Sequence, residues 1–153
     1  ADGYRRMVET TTQLNAVGAE LGQFEGVHAM TDVTGFALLG HLLEIVRGSN
    51  LAARVEWGRV PRIDEAVAFA EAGVATGAAD RNWASYGHEV DTDAGIAEWQ
   101  RKFLCDPQTS GGLLVACEAG MEAKVLETFR RHGFAEAGTI GALAAGAPRV
   151  RVV

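Results

Sequence analysis

Residues 36–47 form a helical pattern that is apolar over most of its circumference, and no other feature constrains the fold of this chain as strongly. Apolar side chains recur at three- and four-residue intervals, at positions 36, 38, 39, 42, 43, 45 and 46. This spacing is typical of an α-helix. We assign His41, Glu44 and Arg47 to its solvent side. The apolar residues 27–30 just before it are predicted to form a buried strand.

Helical and extended patterns alternate along the rest of the chain. Further helices are predicted at residues 4–21, 65–72, 95–104 and 121–131, and further strands at residues 51–57 and 113–118. The tail is predicted to be two strands joined around 146–148 as a closing hairpin, which argues against an all-parallel sheet. Residues 73–93 lack a clear period and are predicted to be a long loop. The alternation favours an α+β fold in which helices cover a mixed sheet.

Length and composition are typical of one globular domain spanning residues 1–153. The net charge of −6 argues against a nucleic-acid partner. No apolar run approaches the ~20 residues of a membrane span and no signal peptide is visible, so we expect a cytoplasmic protein without a membrane partner. Cys105 and Cys117 lie outside any CxxC pair and are interpreted as reduced, buried side chains. The chain begins without methionine inside a helical pattern, so we expect it to belong to a longer polypeptide.

Asp32 lies between the predicted strand and the most apolar predicted helix, in the sequence TDVTG. One interpretation is that Asp32 or Thr34 caps the amino terminus of that helix. The other is that Thr34 supplies the cap, which leaves Asp32 free to bind a hard cation. Mg²⁺ takes one or two carboxylates and completes its shell with phosphate oxygens and water. The local pattern leaves both interpretations open.

Two other segments could contact a ligand. DPQTSGG, residues 106–112, offers hydroxyls and glycines, although a tight turn is the commoner meaning of such a sequence. RNWASYG, residues 81–87, could bind a phosphate or ribose or could be a solvated loop. The histidines at positions 28, 41, 88 and 132 are scattered, so their spacing supports neither a metal cluster nor a Ser-His-Asp arrangement. His41 is interpreted as a surface histidine.

Three blocks, AMTDVTGFALLGHLLEI, RNWASYG and LCDPQTSGGLLVA, occur in this order along the chain. Together they closely resemble the carboxyl-terminal half of the selenophosphate synthetases, within the aminoimidazole ribonucleotide synthetase superfamily. The resemblance covers essentially the whole chain. It departs at Ala37, where that family usually has glycine. We expect this added methyl group on a helix to be a mild change.

The resemblance implies an α/β/α layered α+β domain, partly ferredoxin-like. It also implies an ATP-dependent enzyme that makes selenophosphate from selenide and water and releases AMP and phosphate. In that family the amino-terminal domain supplies the nucleophile, an essential lysine, most Mg²⁺-binding aspartates and the homodimer interface. The carboxyl-terminal domain supplies one metal-binding aspartate, which matches Asp32. No catalytic residue is assigned to this chain, and no residue is assigned to ATP.

Other assignments remain open at this point. The chain could belong to another enzyme of the superfamily, such as a thiamine-monophosphate kinase or a hydrogenase-maturation protein, or could be a non-catalytic binding module. The DPQTSGG block argues against the first two. If the amino-terminal domain is absent, we expect an apolar face near residues 36–46 to be exposed.

Overall fold

The structure, a computed structural model, describes residues 2–153 and contains helices and short strands. The helices are α1 (Asp2–Thr12), α2 (Val17–Leu21), α3 (Ala37–Ser49), α4 (Asp64–Glu71), α5 (Gly77–Tyr86), α6 (Glu98–Leu104) and α7 (Glu122–Arg131). The strands are β1 (Val27–Asp32), β2 (Leu51–Val55), β3 (Val90–Thr92), β4 (Leu113–Cys117), β5 (Gly141–Ala145) and β6 (Val150–Val152). Short 3₁₀ turns occupy Trp57–Arg59, Gly87–Glu89 and Ala119–Met121.

Within the described residues the strands form two sheets. β1 and β4 pair as an antiparallel ribbon, and the other four strands form a mixed sheet in the order β3, β6, β2, β5. β2 runs antiparallel to β5 and parallel to β6, and β6 runs parallel to β3. A mixed sheet with helices packed on it confirms the predicted α+β class. The division of the strands between two sheets was not foreseen.

The predicted closing hairpin is wrong. β5 and β6 do not pair with each other, because β2 lies between them and pairs with both. Burial explains the arrangement: Val55, Val150 and Val152 are almost completely buried, so β2 and β6 form the centre of the sheet. A β-carbon on Gly141 would lie 1.9 Å from the Arg54 carbonyl oxygen. Glycine at that position therefore lets β5 approach β2 closely.

Two other predicted boundaries are also wrong. The helix expected over residues 4–21 is interrupted between α1 and α2, and residues 73–93 contain α5 and β3 instead of a long loop. The Thr76 hydroxyl caps α5 by accepting a hydrogen bond from the Ala79 amide at 3.2 Å. Because α5 buries little more than Ala79 and Tyr86, its apolar periodicity is too weak to be recognised in the sequence.

Helix α3 lies at the centre of the larger core. Its side chains Leu39, Leu42, Leu43 and Val46 pack in one cluster with residues of β2, β3 and β6. The expected exposed apolar face at residues 36–46 is therefore wrong for most of this segment, because the chain's own sheet covers it. Phe36 is the exception on this segment, with 54% of its surface exposed. Both cysteines are free, as predicted, and Cys105 is fully buried, but Cys117 is only half-buried, so the prediction of two buried cysteines is wrong for Cys117.

Ala37, the first residue of α3, corrects another expectation. It adopts a left-handed backbone conformation with a φ of 61°, and its side chain is completely buried. This region costs a non-glycine residue about 1–2 kcal/mol. The resemblance implied glycine at this position, so the methyl group of alanine does not lie on a regular helix as expected: it is buried on a residue with a strained backbone.

We expect Ala37→Gly to change the free energy of unfolding by no more than about 0.5 kcal/mol. Relief of the backbone strain offsets the lost methyl burial, about 0.8 kcal/mol, and the greater entropy of the unfolded chain. The matched control is Ala68→Gly at an exposed position inside α4, which should cost about 1 kcal/mol. Ala37→Val should cost about 2 kcal/mol or more. Urea unfolding measures all three, and a stable Ala37→Val variant would contradict the assigned strain.

None of the helices among residues 2–153 is both long enough and apolar enough to cross a membrane.

Candidate functional site

Asp32 is exposed at the end of β1, where it pairs with Leu113 of β4. The Asn15 side-chain amide donates hydrogen bonds to Asp32 Oδ1 at 2.7 Å and to the Gly111 carbonyl oxygen at 2.9 Å. No protein donor within residues 2–153 is found on Asp32 Oδ2. The carboxylate is thus oriented through one oxygen while the other remains available to a ligand.

Asn15 is a site residue that the sequence does not indicate, because the apolar spacing of residues 4–21 predicts one uninterrupted helix. It lies in the break between α1 and α2. Helix α2 is held on α7 by Glu20, which accepts hydrogen bonds from Arg131 and bonds His132 at 2.8 Å. These partners lower the pKa of the Glu20 carboxyl to about 2. These contacts tie α2, which begins two residues after Asn15, to the end of α7.

The DPQTSGG segment lies directly against the TDVTG segment. The Val33 amide donates to the Gly112 carbonyl oxygen at 2.9 Å, and the Gln108 amide donates to the Thr34 carbonyl oxygen at 3.0 Å. A β-carbon on Gly111 would lie 2.0 Å from the Val33 carbonyl oxygen. Gly111 is therefore required by the close approach of two backbone segments, which supports the tight-turn interpretation of this sequence.

All of the RNWASYG segment except Gly87 lies in α5, and two of its side chains hydrogen-bond to the same loop. The Asn82 side-chain amide donates to the carbonyl oxygens of Gly35 and Cys105, at 3.0 Å each. The Tyr86 hydroxyl donates to the Phe36 carbonyl oxygen at 2.8 Å, and burial raises the pKa of that hydroxyl. Asn82 and Tyr86 thus hold the backbone that follows Asp32, so the suggested phosphate or ribose clamp is not supported for them.

Neither Asp32 nor Thr34 caps α3. The residue at the cap position is Phe36, and no side chain bonds to the first turn there. The Thr34 main-chain carbonyl accepts the Ala37 amide at 3.0 Å, so a backbone turn opens the helix. The capping interpretation of Asp32 is consequently wrong, and the interpretation as a ligand residue remains a prediction.

His41 is buried, with 8% of its surface exposed, and its assignment to the solvent side is wrong. Its Nε2 lies 3.1 Å from the Thr34 hydroxyl oxygen, and its Nδ1 lies 3.1 Å from a carboxylate oxygen of Glu44. Glu44 and Arg47 are exposed as predicted. A seven-residue spacing between Thr34 and His41 is not a recognised motif, so this hydrogen-bonded line could not be found in the sequence.

The donor set suits part of a Mg²⁺ site. Asp32 offers an exposed carboxylate oxygen, the ligand type that Mg²⁺ prefers. Within residues 2–153 there is no group of three or more His, Cys, Asp and Glu side chains that could hold a metal ion. A cation bound here would therefore need most of its ligands from elsewhere, such as phosphate oxygens, water or another part of the polypeptide.

Residues 3–153 match the family model described as AIR synthase related protein, C-terminal domain. The chain is similar to three bacterial proteins named selenide, water dikinase. It is 52% identical to that of Pseudomonas straminea over 150 residues, which is 98% of this chain and 42% of the relative. The Paraburkholderia xenovorans protein is 51% identical over 153 residues, covering 100% and 43% respectively. The Rhizobium meliloti protein is 46% identical over 150 residues, covering 98% and 43%. The chain spans less than half the length of these relatives.

Proposed function

Because the chain belongs to the family of AIR synthase related protein C-terminal domains, we propose that it is the carboxyl-terminal domain of a selenide, water dikinase. The observation that carries this proposal is an identity of 46–52% over nearly the whole chain to proteins of that name. Their shared name favours this activity over the thiamine-monophosphate kinase and hydrogenase-maturation alternatives. Residues 1–153 form one domain of a cytoplasmic polypeptide in this proposal.

In the proposed enzyme this domain supplies Asp32 to a Mg²⁺ site that it shares with an amino-terminal domain. The bound cation would cancel phosphate charge and polarise the transferring phosphoryl group of ATP. Asn15 holds one carboxylate oxygen of Asp32 and leaves the other for the cation. The backbone that directly follows Asp32 is held by hydrogen bonds from DPQTSGG and from α5. Selenide is the second substrate, and the full-length enzyme is a homodimer.

We expect the isolated chain to bind ATP–Mg²⁺ poorly and to release no AMP with ATP, Mg²⁺ and selenide. A single carboxylate with one open oxygen cannot hold a metal-bound triphosphate in competition with water. The dissociation constant should be millimolar or weaker. This corresponds to a binding free energy on the order of −4 kcal/mol or weaker. Calorimetry measures binding, and AMP release is compared with a sample without protein.

The full-length polypeptide is the positive control for the AMP-release assay. It should release AMP only when selenide is present. Micromolar ATP binding by residues 1–153 alone would mean that this domain holds a complete nucleotide site. That result would contradict the proposal that the site is shared with an amino-terminal domain. A full-length polypeptide without selenide-dependent AMP release would contradict the proposed activity.

A further inference from the structure

Thr34, His41 and Glu44 form a continuous line of hydrogen bonds that neither the resemblance nor the comparisons assign. The distances are 3.1 Å from the Thr34 hydroxyl oxygen to His41 Nε2 and 3.1 Å from His41 Nδ1 to Glu44. The line runs from a buried imidazole to an exposed threonine. Thr34 and Asp32 are both exposed, and Val33 between them is buried at 8% exposure. Two solvent-accessible oxygen-bearing side chains thus stand two residues apart, one at the end of β1 and one just after it.

The chemistry of the partners determines where the protons lie. A carboxylate only accepts hydrogen bonds, so His41 Nδ1 must carry the proton that it donates to Glu44. In the neutral imidazole, Nε2 is then an acceptor. The Thr34 hydroxyl consequently donates its proton to His41, and the lone pairs of its oxygen are left for another partner. An oxygen in this state suits a cation and does not suit a phosphate oxygen, which needs a donor.

We propose that Thr34 is a second oxygen ligand, beside Asp32, for the divalent cation, and that His41 and Glu44 are positioning residues that orient its hydroxyl. The inference rests on the proposed function, because Asp32 is the first ligand only if that function is right. A threonine hydroxyl is a known Mg²⁺ ligand in nucleotide-binding loops. Partners behind a metal ligand commonly fix its orientation in this way.

A purely structural role for His41 would need no particular arrangement of protons. The first test therefore determines the tautomer of His41 in the 153-residue chain by imidazole ¹⁵N NMR at about pH 8. We expect the proton on Nδ1, with Thr34→Val shifting the Nε2 resonance and Glu44→Ala shifting the Nδ1 resonance. A proton on Nε2 would overturn the inference, because the hydroxyl proton of Thr34 would then be directed away from His41 and toward the ligand.

The second test measures Mg²⁺ affinity of the full-length enzyme by calorimetry in the presence of ATP. Thr34→Ser keeps the hydroxyl and should bind Mg²⁺ within about threefold of the wild type. Thr34→Val, and Glu44→Ala, which removes the acceptor for His41 Nδ1, should each weaken binding by about 10- to 100-fold. Both changes are at exposed positions and keep the buried imidazole, so they endanger folding less than a His41 variant does, and thermal unfolding of each variant checks this. Thr92→Val, at an exposed threonine of β3 in the other sheet, is the matched control and should have no effect.

The outcomes separate this inference from the proposed function. If Asp32→Asn weakens Mg²⁺ binding and Thr34→Val matches Thr34→Ser, only the role of Thr34 is wrong. If Asp32→Asn retains full affinity, the proposed metal site itself fails. If Thr34→Val weakens binding and Glu44→Ala does not, Thr34 is a ligand that needs no positioning by His41 and Glu44, and that part of the inference is overturned.

Discussion

Asp32→Asn should lower the ATP-dependent turnover of the full-length enzyme by about 10²- to 10³-fold, with loss of several kcal/mol of transition-state stabilisation. The asparagine oxygen can still accept the hydrogen bond from Asn15, so the free energy of unfolding of the 153-residue chain should fall by about 1 kcal/mol or less. Only the negative charge and the second carboxylate oxygen are lost. Steady-state turnover and thermal unfolding, measured on the same substitution, separate the two effects.

The matched control for this experiment is Asp80→Asn. Asp80 is an exposed carboxylate on α5 whose partner is Lys102, at 3.3 Å, and it takes no part in the site. We expect the turnover of the full-length Asp80→Asn enzyme to remain at the wild-type level. If Asp32→Asn also retained full turnover, Asp32 would be reduced to a structural partner of Asn15. If the variant instead lost several kcal/mol of stability, the Asn15–Asp32 contact would be a structural requirement and the charge would be secondary.

Gly111→Ala should be the most destabilising small substitution near the site, with a cost of about 3 kcal/mol or more. Its β-carbon would lie 2.0 Å from the Val33 carbonyl oxygen, which is backbone and cannot rotate away as a side chain could. The two backbone segments would have to separate, and the Val33–Gly112 and Asn15–Gly111 hydrogen bonds would be strained. Chemical denaturation of the 153-residue chain measures the loss.

The adjacent glycine gives a direct control. A β-carbon on Gly112 would meet no atom within 4 Å, so Gly112→Ala should be close to neutral. Equal stability of the two variants would show that the loop yields easily, and the close backbone approach at Gly111 would then not be what determines this sequence. A loss confined to Gly111→Ala would support the packing of DPQTSGG against TDVTG.

Several parts of this structure could be predicted from the sequence because they depend on contacts that are close along the chain. The strand at β1, the turn after it and helix α3 follow each other within about twenty residues, and their apolar patterns are strong. The helix at α7 and its end before Gly133, which has a φ of 86°, were recognised for the same reason. The resemblance singled out Asp32, and the structure places it at an exposed strand end.

Other features depended on residues that meet only after folding. Asn15 and Asp32 are separated by 17 residues, Asn15 and Gly111 by 96, and Asn82 and Gly35 by 47. No local pattern reports such pairs. Weak propensity at α5 was overridden by the tertiary contacts of Asn82 and Tyr86, which is why a segment that reads as a loop is a helix.

The sequence alone determined where the polypeptide can be helical or extended, because periodic apolar residues must be buried on one side of each element. It also determined the family, through three blocks of residues. Tertiary structure alone decided that β2 separates the two tail strands, that Ala37 takes a left-handed conformation, and that His41 is buried between Thr34 and Glu44. The physical reason is that strand partners, backbone strain and buried hydrogen bonds depend on which distant segments the packed core brings together.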